Sequence, residues 1–197
     1  MFRKIFNKIS LILYVVLYLM LNSCNNDQST QMLENQKMID DYYQFQELSL
    51  ENHDIPAYIS LPDETANIGA STKPIINHIK DDIKWSIKIG ENFELLIEDY
   101  GYIDDLVEVK KKELSEQTFF QVNYLIDEPN LILYERTLLV KGIDKASPNV
   151  GVEHKSFHIY ASKVINEITY EFKSREDGNE KIIVELIAKA VKSINSI

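Results

Sequence analysis

The sequence predicts an α+β domain, an antiparallel sheet carrying a middle helix and a C-terminal amphipathic helix. Three observations predict it. Apolar and polar residues alternate in paired runs joined by short turns: Trp85, Ile87 and Ile89, then Phe93, Leu95 and Ile97 after Gly90-Glu91-Asn92. Residues 103–116 place Ile103, Leu106, Val107 and Leu114 at helical spacing. Residues 179–194 carry a wider stripe, Ile182, Leu186, Ala190 and Ile194 flanked by Ile183, Ile187 and Val191. Such a stripe has to lie on an apolar sheet face.

In chain order, residues 1–23 read as a cleaved export signal. Arg3, Lys4 and Lys8 precede an apolar run of 13 residues, Ile9 to Leu21. That run is shorter than the roughly 20 residues a spanning helix needs. It ends at Leu21-Asn22-Ser23-Cys24, and Cys24 is the single cysteine of the chain. The segment resembles the bacterial lipobox. The resemblance implies cleavage before Cys24, diacylglycerol on its sulfur and acylation, palmitate for example, of the new amine. It thus implies a protein held on a cell-envelope membrane by its lipid. Asn25 at the following position resembles the signal for outer-membrane delivery. A lone cysteine in an exported chain has no disulfide partner within it, which suits lipidation.

Residues 24–41, polar and amide-rich, read as a flexible tether. Residues 42–197 read as a single α+β domain. Tyr43, Phe45, Leu48 and Leu50 suggest a first strand with a register break. Ile55, Ala57, Ile59 and Leu61 alternate up to Pro62, which ends the run. Residues 63–83 read as a long loop. After the hairpin about Gly90, Asp104 is the expected cap of the middle helix, with Lys110 to Lys112 facing water. Phe120, Val122, Tyr124 and Ile126 lead through Asp127-Glu128-Pro129-Asn130 into a returning strand from Leu131 to Val140. Residues 141–154 read as a loop. Strands follow at 155–162 and 164–173, marked by Phe157, Ile159 and Ala161 and by Ile168, Tyr170 and Phe172. About eight strands are expected in all.

The domain, with its middle helix, strand pair and closing helix, resembles the PsbP-like fold, which includes bacterial lipoproteins of the DcrB kind. The residues that carry the likeness are Ala57-Tyr58-Ile59-Ser60-Leu61-Pro62 and Ile187-Ala188-Lys189-Ala190-Val191-Lys192-Ser193-Ile194. The resemblance implies a small α/β/α sandwich used for binding or assembly, usually without catalysis.

Charge excludes one class of partner. The chain has 21 basic and 31 acidic residues; losing Arg3, Lys4 and Lys8 with the signal leaves a net charge of −13. A protein so acidic repels nucleic-acid backbones. No cofactor is called for, since the chain lacks G-x-S-x-G, S-x-x-K, H-E-x-x-H and a phosphate-cradling glycine loop. His154 and His158 are four apart in a β-like run, about 13 Å at 3.3 Å per residue. That is too far to share an ion, so both read as surface or strand-edge histidines, and no metal site is expected. His53 and His78 fall in loops. The adjacent acids Asp81-Asp82, Glu98-Asp99 and Asp104-Asp105 read as solvated loops and helix starts. Tyr100, Tyr102 and Tyr134 are the candidates for an amphipathic contact surface.

The expectation is a non-enzymatic, lipid-anchored binding or assembly factor, meeting a protein partner through sheet edges and the loops 63–83 and 141–154. Two alternatives stay open, an envelope hydrolase using paired carboxylates and a small-ligand carrier.

Overall fold

The computed structural model describes residues 44–63, 73–138 and 154–197. Cys24, the signal and the tether lie outside the described residues, as do residues 64–72 of the 63–83 loop and the 141–154 loop except His154.

Among the described residues, ten strands form two antiparallel sheets, confirming the α+β class. The small sheet pairs β1 (Phe45–Ser49), β2 (Ala57–Pro62) and β10 (Asn195–Ser196) in the order β1-β2-β10. The large sheet has seven strands: β3 (Ile75–Ile79), β4 (Lys84–Ile89), β5 (Phe93–Asp99), β6 (Phe120–Glu128), β7 (Leu131–Leu138), β8 (Lys155–Ile165) and β9 (Ile168–Lys173). Their order is β3-β4-β5-β9-β8-β7-β6. Between β5 and β6 lies helix α1 (Leu106–Glu116), and after β9 comes α2 (Lys181–Lys192).

Period two decides which side each residue takes. Trp85, Ile87 and Ile89, then Phe93, Leu95 and Ile97, with Ile159, Ala161, Tyr170 and Phe172, are buried on one face of the large sheet. Helix α2 covers that face, touching β5, β7 and β8, and also touches β2 of the small sheet. Enclosure by two sheets explains why its burial runs wider than one stripe, taking in Ile183, Val184, Leu186, Ile187, Ala188, Ala190 and Val191. Each fully buried Ile or Leu contributes roughly 1.5–3 kcal/mol.

The opposite face is divided. Helix α1 lies over the β6–β8 side, where Leu106, Val107 and Leu114 meet Ile132, Tyr134 and Tyr160. Farther along, the face is ionic: Lys84 pairs with Glu98 at 3.3 Å and Lys88 with Glu94 at 3.1 Å.

Three expectations change. Strand β3 occupies part of the presumed 63–83 loop; as an edge strand it has no buried face, so no alternation marks it. Asp104 is not the cap of α1. Asp105 takes that place at φ 62 without a side-chain cap bond, and Ile103 is exposed. Strand β8 runs three residues beyond its expected end and β9 begins four residues later than expected, because the turn falls at Asn166 and Glu167, which alone join them, both left-handed at φ 47 and 71. That is the geometry of a two-residue type I′ hairpin.

Candidate functional site

Strand register assembles a polar hollow beneath α1. Tyr134 of β7 stands opposite His158 of β8, and Ile132 opposite Tyr160. Tyr160 in turn stands opposite Lys173 of β9, and Glu171, two residues back, shares its face and stands opposite Glu98 of β5. Leu106 and Leu114 pack α1 onto this face, while Lys110 and Glu113 are left at its rim. The volume of this open hollow is about 510 Å³. It gathers four cations (Lys110, Arg136, Lys173, Arg175), three carboxylates (Glu113, Glu171, Glu176), three tyrosines (Tyr100, Tyr134, Tyr160) and His158.

Glu171 is 3% exposed. Its carboxylate accepts hydrogen bonds from the hydroxyls of Tyr100 and Tyr160 and lies against the ammonium of Lys173. Burial, then the hydrogen bond to Glu171 and its charge, push the Tyr160 phenol upward. Burial pulls the Lys173 ammonium down, but the bond to Glu171 and the charges of Glu171 and Glu98 outweigh it, and the net shift is upward. A buried charge survives in protein only when it is compensated; Lys173 supplies the pairing, while Glu171 Oε1 accepts no hydrogen bond among the described residues.

His158 forms the wall. It is 4% exposed and stacks on Tyr134 with centroids 5.3 Å apart. Arg136 Nε donates to His158 Nε2 at 3.0 Å. A guanidinium nitrogen can only donate, so Nε2 is the bare acceptor and Nδ1 carries the proton, given to the backbone carbonyl of Arg175. Burial, then the Arg136 charge, lower the imidazole to about 4. The surface or strand-edge position expected of His158 is thus corrected. Tyr134 and the 175–178 turn cover it, and neither is adjacent in sequence. His154 does stand exposed at the start of the strand.

Ser156 Oγ lies 2.8 Å from His158 Nε2, within nucleophile-to-base distance. The pair is disarmed. Arg136 occupies the lone pair that would take the serine proton, and an imidazole held near 4 is a weak base. Gly178 seals the spot: at φ 84, a Cβ there would lie 2.6 Å from Ser156 Cβ and 2.9 Å from the His158 ring.

The three candidate tyrosines do not make one surface. Tyr102 is 81% exposed, Tyr100 is half-buried at the hollow and Tyr134 is 4% exposed beneath α1. The alternation of β7 sends Tyr134 inward with Ile132, so it is a packing residue and not an outward contact. Lys110, expected to face water, sits with its ammonium 5.5 Å from the Tyr160 ring centroid and 3.0 Å from Glu113 Oε2.

Two other hollows are present. One of about 540 Å³ borders the 175–181 turn and one of about 210 Å³ lies between the β1–β2 pair and Pro74. None of Asp81, Asp82, Glu98, Asp99, Asp104 and Asp105 lines any of the three. Glu98 is tied to Lys84 and Lys173, and Asp99 accepts the Gly101 amide at 2.7 Å. His53 lies in a one-turn helix at Glu51–His53, and its carbonyl accepts the Trp85 indole N–H. His78 is a β3 residue stacked on Trp85 at 4.6 Å. Among the described residues, no three His, Cys, Asp or Glu side chains are grouped to hold a metal, and no helix is long and apolar enough to cross a membrane.

Comparison with protein-family models, curated proteins and solved structures finds no match.

Arg136, Lys110, Tyr160, Glu171 and Lys173 were not singled out in the sequence. One signal was there. In β8 the positions between Phe157, Ile159 and Ala161 are His158 and Tyr160, large rings where a solvated face would carry small polar or charged residues. Such a pattern marks a strand covered on both sides.

Proposed function

We propose that this chain is a lipid-anchored, non-enzymatic binding protein of a bacterial envelope, and that the hollow beneath α1 receives its ligand. The hollow carries the reading. Its size falls in the range of small-molecule sites, and convergent polar groups line it. The Ser156–His158 pair at its wall is blocked by Arg136, and the adjacent acids on which a hydrolase would rely stand elsewhere. These facts favour the ligand-carrying form of the reading over the carboxylate hydrolase.

The layering supports the PsbP-like sandwich, with α2 on one face of the large sheet and α1 on the other. Fold likeness by itself assigns no activity. The Leu21–Cys24 segment supports diacylglycerol at Cys24, and Asn25 supports delivery to the outer membrane. Two or more acyl chains hold a protein stably on a bilayer without a spanning helix.

The test of the mooring is metabolic labelling of the full chain with an alkyne fatty acid in a bacterial host. Wild type is expected to take the label, lose residues 1–23 and sediment with membranes. Cys24→Ala should lose label and processing together. An unlabelled wild-type product that retains Met1 overturns the mooring.

A further inference from the structure

The hollow also says what kind of ligand fits, a refinement that rests on the binding role proposed above. Arg136 is the cation of the hollow with no carboxylate beside it, Arg175 having Asp177 at 3.5 Å. Lys173 is held by Glu171 and Glu98, and Lys110 by Glu113. Arg136 has no carboxylate partner among the described residues. Its contacts are the Nε bond to His158 and an Nη2 bond of 2.8 Å to the Glu176 carbonyl, with its plane over Phe120 at 4.7 Å. Two of five N–H groups are thereby used, both along one edge of the fork. Three remain at the Nη1–Nη2 end, the edge that engages a carboxylate with two parallel bonds. His158 and Glu176 lock the side chain beforehand, so little rotamer freedom is left to lose on binding.

Charge sets the valence of the ligand. Three of the four cations already have a carboxylate beside them (Lys173 with Glu171 and Glu98, Lys110 with Glu113, Arg175 with Asp177), which leaves Arg136 as the one unmatched cation of the hollow. A monoanion matches that single unpaired cation. A dianion would overshoot beside Glu113 and Glu176, at some electrostatic cost. The rings of Tyr100 and Tyr160 and the side chain of Leu106 supply a flat, partly apolar lining for the rest of the molecule.

We propose that the hollow beneath α1 binds a small monocarboxylate with a planar or apolar body, its carboxylate paired end-on with Arg136 and its charge shared with Lys110.

The test is a titration of the purified full-length, detergent-solubilised chain, followed by tyrosine and tryptophan fluorescence and by melting temperature. The probes are benzoate, phenyl phosphate and benzyl alcohol. Benzoate is expected to bind saturably, at least fivefold tighter than either of the others. Lys110→Gln should weaken benzoate two- to threefold, and Glu113→Gln, which removes a repelling charge from the rim, should tighten it by a similar factor. Arg136→Gln should abolish binding. Because Arg136 also braces His158, the two rim variants on α1 provide the deciding comparison if Arg136→Gln fails to fold. The proposal is overturned if benzoate has no effect, if phenyl phosphate or benzyl alcohol matches it, or if the rim variants leave its affinity unchanged. The fatty-acid label reads the mooring separately, so failure here removes the ligand class and leaves the anchored reading to its own test.

Discussion

Arg136 Nε sits 3.0 Å from His158 Nε2 and fixes the imidazole in its neutral, Nδ1-protonated form. This one bond removes His158 from consideration as a base, ties β7 to β8 by their side chains and fixes the guanidinium at the wall of the hollow. Protonation would place an N–H of His158 against an N–H of Arg136 in a buried site, with Lys110 adding repulsion that the Arg175 carbonyl and Asp177 do not offset.

A pH dependence follows. The imidazole lies at about 4 in the folded chain against 6.5 unfolded. The unfolded state therefore binds more protons between those values, and stability falls as pH is lowered through that window. The contribution is complete above pH 6.5. About 3 kcal/mol of it is gone at pH 4, from a shift of roughly two and a half units at 1.36 kcal/mol each. Urea unfolding at pH 7 and pH 4 checks this by comparing wild type with His158→Gln. Carboxylate titrations are common to both, so wild type is expected to lose about 3 kcal/mol more than the variant.

Gly178 holds the lid of the same wall. A Cβ there collides with Ser156 and His158, and φ 84 is strained for any other residue. Gly178→Ala is expected to cost roughly 2–4 kcal/mol, the sum of a left-handed backbone penalty and overpacking. Gly101 is the control. At φ 64 with nothing within 4 Å of the added carbon, Gly101→Ala carries the backbone term alone, about 1 kcal/mol. Thermal melts of the two variants should separate by several degrees, and equal melting points would rule out the steric account.

How much of this was legible in the sequence depended on periodicity. Helix α2 and the β4–β5 hairpin could be read because each buries one clear face, and the 3.6- and 2-residue repeats record that burial directly. Strand β3 could not, because Ile75 and Ile79 point to solvent while Asn77 lies between them and the half-buried side carries Ile76 and His78, so apolar residues fall on both faces. The site was harder still. Its groups come from Tyr100, α1, β7, β8 and β9, and only strand register makes Tyr134 and His158, or Tyr160 and Lys173, into neighbours. Pairing of β5 with β9, separated in sequence by α1 and three strands, brings Glu98 to Glu171. No local pattern encodes that juxtaposition. The adjacent acid pairs drew notice because they are contiguous, yet Glu171, the buried carboxylate of the hollow, stands between Tyr170 and Phe172 in an apolar strand.

Glu171 should act as a structural pivot of the hollow. Glu171→Ala leaves the half-buried Lys173 without its closest partner and the Tyr100 and Tyr160 hydroxyls without their acceptor. Breaking such a pair from one side is expected to cost about 3 kcal/mol. Glu171→Gln keeps the shape but not the charge. It should lower the Tyr160 phenol from its raised position while burial still holds it above 10, since burial is the larger cause. Ultraviolet absorbance of tyrosinate during alkaline titration reads this. An unchanged titration curve would show that Glu171 does not govern the phenols.

The β8–β9 turn offers a stabilising change. Asn166 and Glu167 both adopt positive φ, at 47 and 71, to close the two-residue hairpin between Ile165 and Ile168. Asn tolerates that region through its short polar side chain, whereas Glu has no such compensation. Glycine is the preferred second residue of a type I′ turn because it lacks the Cβ that makes left-handed backbone costly. Glu167 is exposed, so its removal disturbs no packing. Glu167→Gly is therefore expected to stabilise the domain by about 1 kcal/mol, the relieved strain exceeding the entropy that glycine adds to the unfolded chain. Asn166→Gly should gain less, since asparagine already fits. Chemical unfolding of the two variants at pH 7 tests the ranking. A loss of stability in Glu167→Gly would mean that the turn does not carry the strain its dihedral angles imply.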